Sequence, residues 1–294
     1  MAYTYRIGKF EVTAGQYCAF LNAVARTDTY GLYNTQMDVN NNSEGCNIKL
    51  HGSPNNYTYS VPDDWANRPV NYVSWGDAAR FANWLTNGQP TGAQNALTTE
   101  DGSYQLNGAI SNAALLAVTR KANVTWVIPS EDEWYKAAYH KNDGVTGNYW
   151  DYPTGTNTVP SNVLSNPNPD PGNNANFYDN GYTIGGPYYR TEVGDFENSD
   201  SPYGTFDQGG NVWEWNEAVL YYGSHRGVRG GSLGDYGLGT GGDSLRAESR
   251  HHVSPTFEYY DFGFRVSEVP EPATIVMLAL GCAVVPRRRE RGRA

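Results

Sequence analysis

The stretch Gly210-Asn211-Val212-Trp213-Glu214-Trp215 decides how the rest of the chain is read. Read from the residues alone, it is a tight turn that buries two tryptophan rings and holds Glu214 in a salt bridge. A turn of that kind suits an irregular, loop-heavy protein better than a helical bundle, and the composition agrees. The 294 residues include 33 Gly, 16 Pro, 23 Tyr and 8 Trp, turn formers together with aromatics that keep a polar handle. At roughly 100 to 200 residues per domain, that length allows one large domain or two small ones. Asp plus Glu exceed Lys plus Arg by 31 to 21, a net charge of −10. That balance argues against a nucleic-acid partner, whose affinity comes largely from Lys and Arg neutralising phosphates.

Working outward from the turn, three helix starts carry capping boxes, in which an N-cap hydroxyl answers an orphan amide and a later side chain reaches back. Thr13-x-x-Gln16 opens a helix over 14–25 with Tyr17, Phe20, Leu21 and Val24 on one face. Ser74-x-x-Asp77 opens a second, with Phe81, Trp84 and Leu85 facing together, and Ser130-x-x-Glu133 opens a third after Pro129. Each is short and amphipathic, so each lays one face on something else. Brief strands are expected over 5–12, 124–128 and 263–266. The segments 40–59, 86–108 and 149–189 are dense in Asn, Gly, Pro and Tyr and read as loops. Loops of that length are functional or tied down. With no repeat and no clean linker, residues 1–268 read as one domain of the α+β class.

Cys18, Cys46 and Cys282 are widely spaced and form no CxxC, so neither a zinc site nor a thioredoxin-like motif is built from sequence neighbours. Cys18 and Cys46 pair in an oxidising compartment or remain two unlinked, partly buried thiols; spacing leaves both open. The N-terminus has no basic region followed by an apolar one, so either the protein is not exported or its start lies upstream.

Six motifs occur in order along the body: Lys9-Phe10-Glu11-Val12-Thr13, Arg68-Pro69-Val70-Asn71-Tyr72-Val73-Ser74-Trp75, Ile128-Pro129-Ser130-Glu131-Asp132-Glu133-Trp134, Gly210 to Trp215, Arg229-Gly230-Gly231-Ser232 and Gly263-Phe264-Arg265-Val266. Together they resemble the formylglycine-generating enzyme, or sulfatase-modifying factor, domain over essentially the whole body. The resemblance implies a loop-rich fold related to C-type lectins, with little regular secondary structure and bound calcium. It also implies an oxidase that converts a cysteine to formylglycine with copper held by two thiolates shortly after the Gly-Gly-Ser. At those positions this chain has Asp235 and Thr240. Soft Cu(I) needs thiolates, and a carboxylate with a hydroxyl is the wrong donor set. No catalytic residue is therefore carried over, and copper is not expected.

For calcium, the resemblance implies one site on Asp207, Gly210, Val212 and Glu214. It implies a second on Asn176, Phe177, Asn180 and Tyr182, where Asn180 replaces an aspartate and weakens the site. Carboxylates and carbonyls in a glycine-rich turn are the hard oxygen donors calcium takes. The family's pocket would fall on Ser232, Asp235, Tyr236 and Thr240.

After the body, Pro270-Glu271-Pro272, an apolar run over 275–285 and an arginine cluster over 287–293 resemble a PEP-CTERM sorting tail. The run is shorter than the roughly 20 apolar residues of a membrane span, and the arginines fit a positive-inside stop. This resemblance implies export in a Gram-negative bacterium, recognition by an exosortase, transient membrane contact through the tail and residence in the cell envelope or extracellular matrix.

Other patterns carry less. Gly230 to Gly234 satisfies G-x-S-x-G, but a nucleophile elbow turns from strand to helix and glycine-rich loop follows here. Gly237, Gly239 and Gly242 satisfy G-x-G-x-x-G, again with no helix after them. His251 and His252 are adjacent in an extended segment and point to opposite faces. Glu131, Asp132 and Glu133 complement a helix dipole. The reading is a calcium-stabilised, non-catalytic module that binds a glycan or a protein. The alternative is an enzyme of the family using Asp235, His251 or His252, and a histidine within metal-ligand distance of Asp235 favours it.

Overall fold

The structure, a computed structural model, describes residues 3–164, 171–235 and 243–269. All three capping boxes form. Thr13 caps α1 (Ala14–Val24), Ser74 caps α3 (Trp75–Thr86) and Ser130 caps α5 (Glu131–Tyr139), each with reciprocal bonds to Gln16, Asp77 and Glu133. Two shorter helices, α2 (Asp63–Ala66) and α4 (Asn112–Ala117), lie in segments the periodicity leaves unassigned.

The faces of α1 and α3 meet through their aromatics. Tyr17, Phe20, Phe81, Trp84 and Phe264 form a cluster with neighbouring ring centroids 5.2–6.4 Å apart, mostly edge-to-face or tilted. Such pairs are worth roughly 0.5–1.5 kcal/mol beyond the area they bury. The core around them is continuous from Val12 to Phe264, with Trp75 and Trp215 fully buried in it. Cys18 and Cys46 are free thiols in this core, both buried.

Strands are short. One sheet runs β1 (Arg6–Ile7), β9 (Ser267–Glu268), β4 (Trp126–Val127), with the last strand of the body in the middle and both pairings antiparallel. A hairpin pairs β2 (Lys49–His51) with β3 (Thr58–Ser60). The largest sheet runs β7 (His251–Val253), β6 (His225–Arg229), β5 (Trp213–Leu220), β8 (Phe262–Gly263), and only β5–β8 is parallel. The strand expected over 5–12 is reduced to two residues because the backbone beyond Ile7 bonds singly to separate segments. Gly8 donates to Val266, Lys9 accepts from Phe206, and Val12 accepts from Val70 while donating to Phe264.

Buried polar side chains hold the loops. An irregular backbone leaves carbonyls and amides that must still be paired when buried, and Asn and Arg from the scaffold supply the partners. Asn83 on α3 donates to the Thr99 and Tyr104 carbonyls and accepts from the Tyr104 amide, and Arg80 pairs with Glu100 at 2.7 Å. Arg190 donates to the Glu44 and Gly45 carbonyls, and Arg226 to those of Leu115, Val118 and Glu217. The 40–59 and 86–108 loops are thus anchored rather than loose. Among the described residues no helix is long and apolar enough to cross a membrane.

Candidate functional site

The Gly210 to Trp215 stretch turns sharply and then enters β5. Gly210 has φ +90°, and a Cβ there would collide with the Asn176 carbonyl; Asn211 follows at φ +54°. Asn176 and Gly210 form a bridge, the Asn211 amide donates to the Asn176 carbonyl, and Asn176 Nδ2 donates to Asn211 Oδ1 at 2.8 Å. The turn thereby joins the two residue sets that the resemblance assigns to calcium.

At its end Glu214 is fully buried, and its carboxylate is taken. Arg265 meets it in a two-point pair, Nε to Oε2 at 2.5 Å and Nη2 to Oε1 at 2.6 Å, and the Trp134 indole donates to Oε2 at 2.7 Å. Val212 is buried beside it. Asp207, at φ +58°, accepts the Gly194 amide at 2.6 Å, and burial pushes its carboxyl up to about 7. Close by is Glu11, whose two carboxylate oxygens are buried without a hydrogen-bond partner. Burial first, and then the charge of Asp207, raise its pKa well above the ordinary range. Glu11 lies in one of the six motifs, yet sequence reasoning assigned it no role. The signal was a glutamate set between Phe10 and Val12 at a helix entry.

Calcium takes several hard oxygens with no competing cation beside them. Asn176 meets that condition, with an Oδ1 that is buried and unpaired, and Asp207 meets it in part, since among the described residues it makes no ion pair although the Arg265 charge reaches it. Glu214 does not, because Arg265 already balances its charge. In the second set, Phe177 is buried and its carbonyl accepts weakly from Asn162 and Thr183. Asn180 is exposed and donates to Asp179, and Tyr182 is 40% exposed, packed edge-on against Tyr178 and Tyr189. The fit to calcium is therefore partial in both sets.

The second feature lies where the 231–235 loop meets β5 and the start of β8. Ser232 is fully buried; its amide donates to Asp235 Oδ2 at 2.6 Å and its hydroxyl to Asp261 Oδ2 at 3.2 Å. Asp261 Oδ1 is buried and unpaired. Burial pushes Asp235 up to about 6; burial, followed by the neighbouring Asp235 charge, pushes Asp261 up to about 7. The Trp213 indole and the Ser244 hydroxyl stand beside Asp235. Of the pocket residues read from the sequence, the structure brings Ser232 and Asp235 together and adds Asp261, two residues before the Gly263-Phe264-Arg265-Val266 motif. Tyr236, Thr240 and the tail residues Pro270, Glu271 and Pro272 lie outside the described residues.

The histidines gather elsewhere on the same sheet. His251 packs on Trp213 with centroids 5.4 Å apart, His252 stacks on Tyr221 at 4.9 Å, and His225 meets His252 at 5.0 Å. The rings of His251 and His252 lie nearly parallel, 5.9 Å apart, rather than on opposed faces as simple alternation requires. Among the described residues, no group of three or more His, Cys, Asp or Glu side chains is arranged to hold a metal ion. The acidic first turn of α5 also does more than complement a dipole. Glu133 is buried and paired with Arg120, and Glu131 with Arg229 and Arg250.

The profile of the sulfatase-modifying factor enzyme 1-like domain matches residues 2–269. No curated protein matches the chain. Among solved structures, the chain is similar to variable protein 1 of Treponema denticola, at 22% identity over 90% of this chain and 84% of that one, with a TM-score of 0.51. It is also similar to CarF, at 21% identity over 91% and 87% and a TM-score of 0.49, and to PvdO from Pseudomonas aeruginosa, at 18% identity over 90% and 80% and a TM-score of 0.48.

Proposed function

The chain belongs to the sulfatase-modifying factor enzyme 1-like family, and within it we propose that this member binds a ligand rather than oxidising a cysteine. The observation that carries the reading is the setting of Asp235. At the first of the two positions where the family's copper thiolates are expected, this chain has a half-buried carboxylate bonded to Ser232 and facing Asp261. That is a hard oxygen environment, unsuited to a soft monovalent copper ion. The half-buried Tyr260, its hydroxyl packed close to Gly234, supplies aromatic surface next to fixed polar groups, a combination that suits a glycan or a protein loop.

Calcium in this proposal is a structural ion, with Asp207 and Asn176 as the residues that would hold it and Glu214 excluded by its pairing with Arg265. The chain is further proposed to be exported and sorted through its C-terminal tail by an exosortase to the envelope or extracellular matrix, on the order of the Pro-Glu-Pro, apolar and arginine segments.

The test is glycan-array binding of the purified protein with calcium and again with chelator, repeated with Asp235→Ala. Binding that Asp235→Ala abolishes supports the pocket, and loss in chelator adds the ion. No binding to glycans by folded protein removes the glycan form and leaves a protein partner to be sought. A second reading is favoured by one observation, the carboxylates of half-buried Asp235 and buried Asp261 bridged by Ser232, an arrangement that supports general acid–base chemistry. Turnover lost in both Asp235→Asn and Asp261→Asn would establish an enzyme.

A further inference from the structure

A cavity of about 570 Å³ has Tyr3, Thr4, Tyr5, Lys9, Lys136 and Tyr203 in its lining. It is separate in its lining from the Asp235 cluster, and its volume falls in the range of roughly 300–1,000 Å³ typical of small-molecule sites. A second cavity of about 260 Å³ also touches Thr4, Tyr5 and Arg6 and is lined in addition by Glu268.

The chemistry of the walls is specific. The Tyr3 hydroxyl donates to Glu133 Oε1, the Tyr5 hydroxyl to the Glu133 carbonyl, and the Tyr203 hydroxyl is bonded to His140 Nδ1. With their polar ends committed, these residues offer ring surface to the groove. Lys9 lies over the rings of Phe10 and Phe206, its ammonium 5.3 and 4.8 Å from their centroids, and Lys136 lies 5.7 Å from that of Tyr203. Ring faces hold a cation at such distances. Among the described residues neither ammonium has a carboxylate within ion-pair reach, whereas Arg6 is balanced by Glu268. In a chain of net charge −10, two unbalanced ammonium groups over aromatic rings form a local site for an anion that also carries an apolar face.

We infer that this groove binds an acidic oligosaccharide, with sugar rings lying on Tyr3, Tyr5 and Tyr203 and carboxylates meeting Lys9 and Lys136. Several ring faces beside two separate ammonium groups fit a chain of sugars better than a compact anion, and the exposed Thr4 supplies a hydroxyl to pair with sugar hydroxyls. The pairing is charge-assisted on one side of each sugar and stacking on the other, so the neutral counterpart loses the stronger half of the contact.

The experiment is calorimetric titration of the full chain with a glucuronate trisaccharide, with cellotriose and with inorganic phosphate. The acidic trisaccharide is expected to bind, more weakly as salt rises, with cellotriose at least tenfold weaker. Lys9→Gln and Lys136→Gln should each weaken binding about tenfold, and Lys136→Arg should restore most of it. Tyr203→Ala should weaken binding with unchanged salt dependence, while Lys49→Gln on β2, outside the groove, should change nothing. Equal binding of cellotriose, equal competition by phosphate, or undiminished binding by the Lys9→Gln/Lys136→Gln double variant with its melting temperature intact would overturn the inference.

Discussion

Replacing Glu214 by Gln isolates the interaction that closes the body of the protein. The substitution keeps the shape but removes the carboxylate that pairs with the buried Arg265 guanidinium, leaving only Glu11 and Asp207, beyond ion-pair distance, to offset its charge; neither side chain is more than 1% exposed. The amide also turns a donor toward either Arg265 or the Trp134 indole, both of which now donate to Glu214. Breaking one side of a buried pair costs about 3–5 kcal/mol. At roughly 2–4 °C of melting temperature per kcal/mol for domains of this size class, the expected loss is on the order of 10 °C. Urea unfolding should show the midpoint fall with an unchanged slope, since the folded state stays as compact. Because the partner is Arg265 and not an ion, the loss should be the same with calcium and with chelator. The double variant Glu214→Gln/Arg265→Met should recover much of the stability, as uncharged replacements of buried pairs commonly do. A single-variant loss below about 1 kcal/mol, or one seen only in calcium, would refute the reasoning.

Four further outcomes follow. Gly210→Ala places a Cβ against the Asn176 carbonyl at a positive φ and should cost at least about 2 kcal/mol in a thermal melt. Asn83→Ala leaves the Thr99 and Tyr104 carbonyls and the Tyr104 amide unpaired. It should cost about 3 kcal/mol and open the 86–108 loop to limited proteolysis. Asp261 and Glu258 have pKa values pushed up to about 7 and about 8, by burial first and then by the neighbouring Asp235 and Asp77 charges respectively. The folded state therefore binds more protons than the unfolded one. In chelator, stability should decline as pH rises from about 4 through about 8, and Asp261→Asn should flatten that decline in pH-dependent unfolding. Asp207→Asn should abolish any stabilisation by calcium measured as a melting shift; a shift that survives would place the ion elsewhere.

What could be read from the sequence was local. The capping boxes at Thr13, Ser74 and Ser130 specified three helices because every partner lies within four residues, and the faces carrying Tyr17, Phe20 and Phe81 followed from helical spacing. The six ordered motifs identified the family fold. The strands were poorly legible, because two-residue strands such as β1 and β9 arise from pairing between opposite ends of the body and carry no alternation of their own. The turn at Gly210 with its buried indoles is legible in the motif, but for Glu214 the sequence offers both a calcium site and an ion pair, and it does not show the partner. Arg265 is 51 residues away, and spacing does not choose among the arginines of the chain. In the Asp235 site, Ser232 and Asp235 were legible from the Gly-Gly-Ser motif. Asp261 and Glu11 were not, since what distinguishes them is burial that leaves carboxylate oxygens unpaired.

The placement of β9 bears on the order in which the protein is made. Phe264, Arg265 and Ser267 are fully buried, and β9 fills the gap between β1 and β4. A ribosome delivers these residues after all others of the body, so while synthesis continues Glu214 waits without its counter-ion and the first strand without its neighbour. The nascent chain can form its helices early but closes only when this final stretch emerges. A chain stopped even a few residues short of it would reach the cell's quality control with a charged, open core instead of a slightly shortened but finished domain.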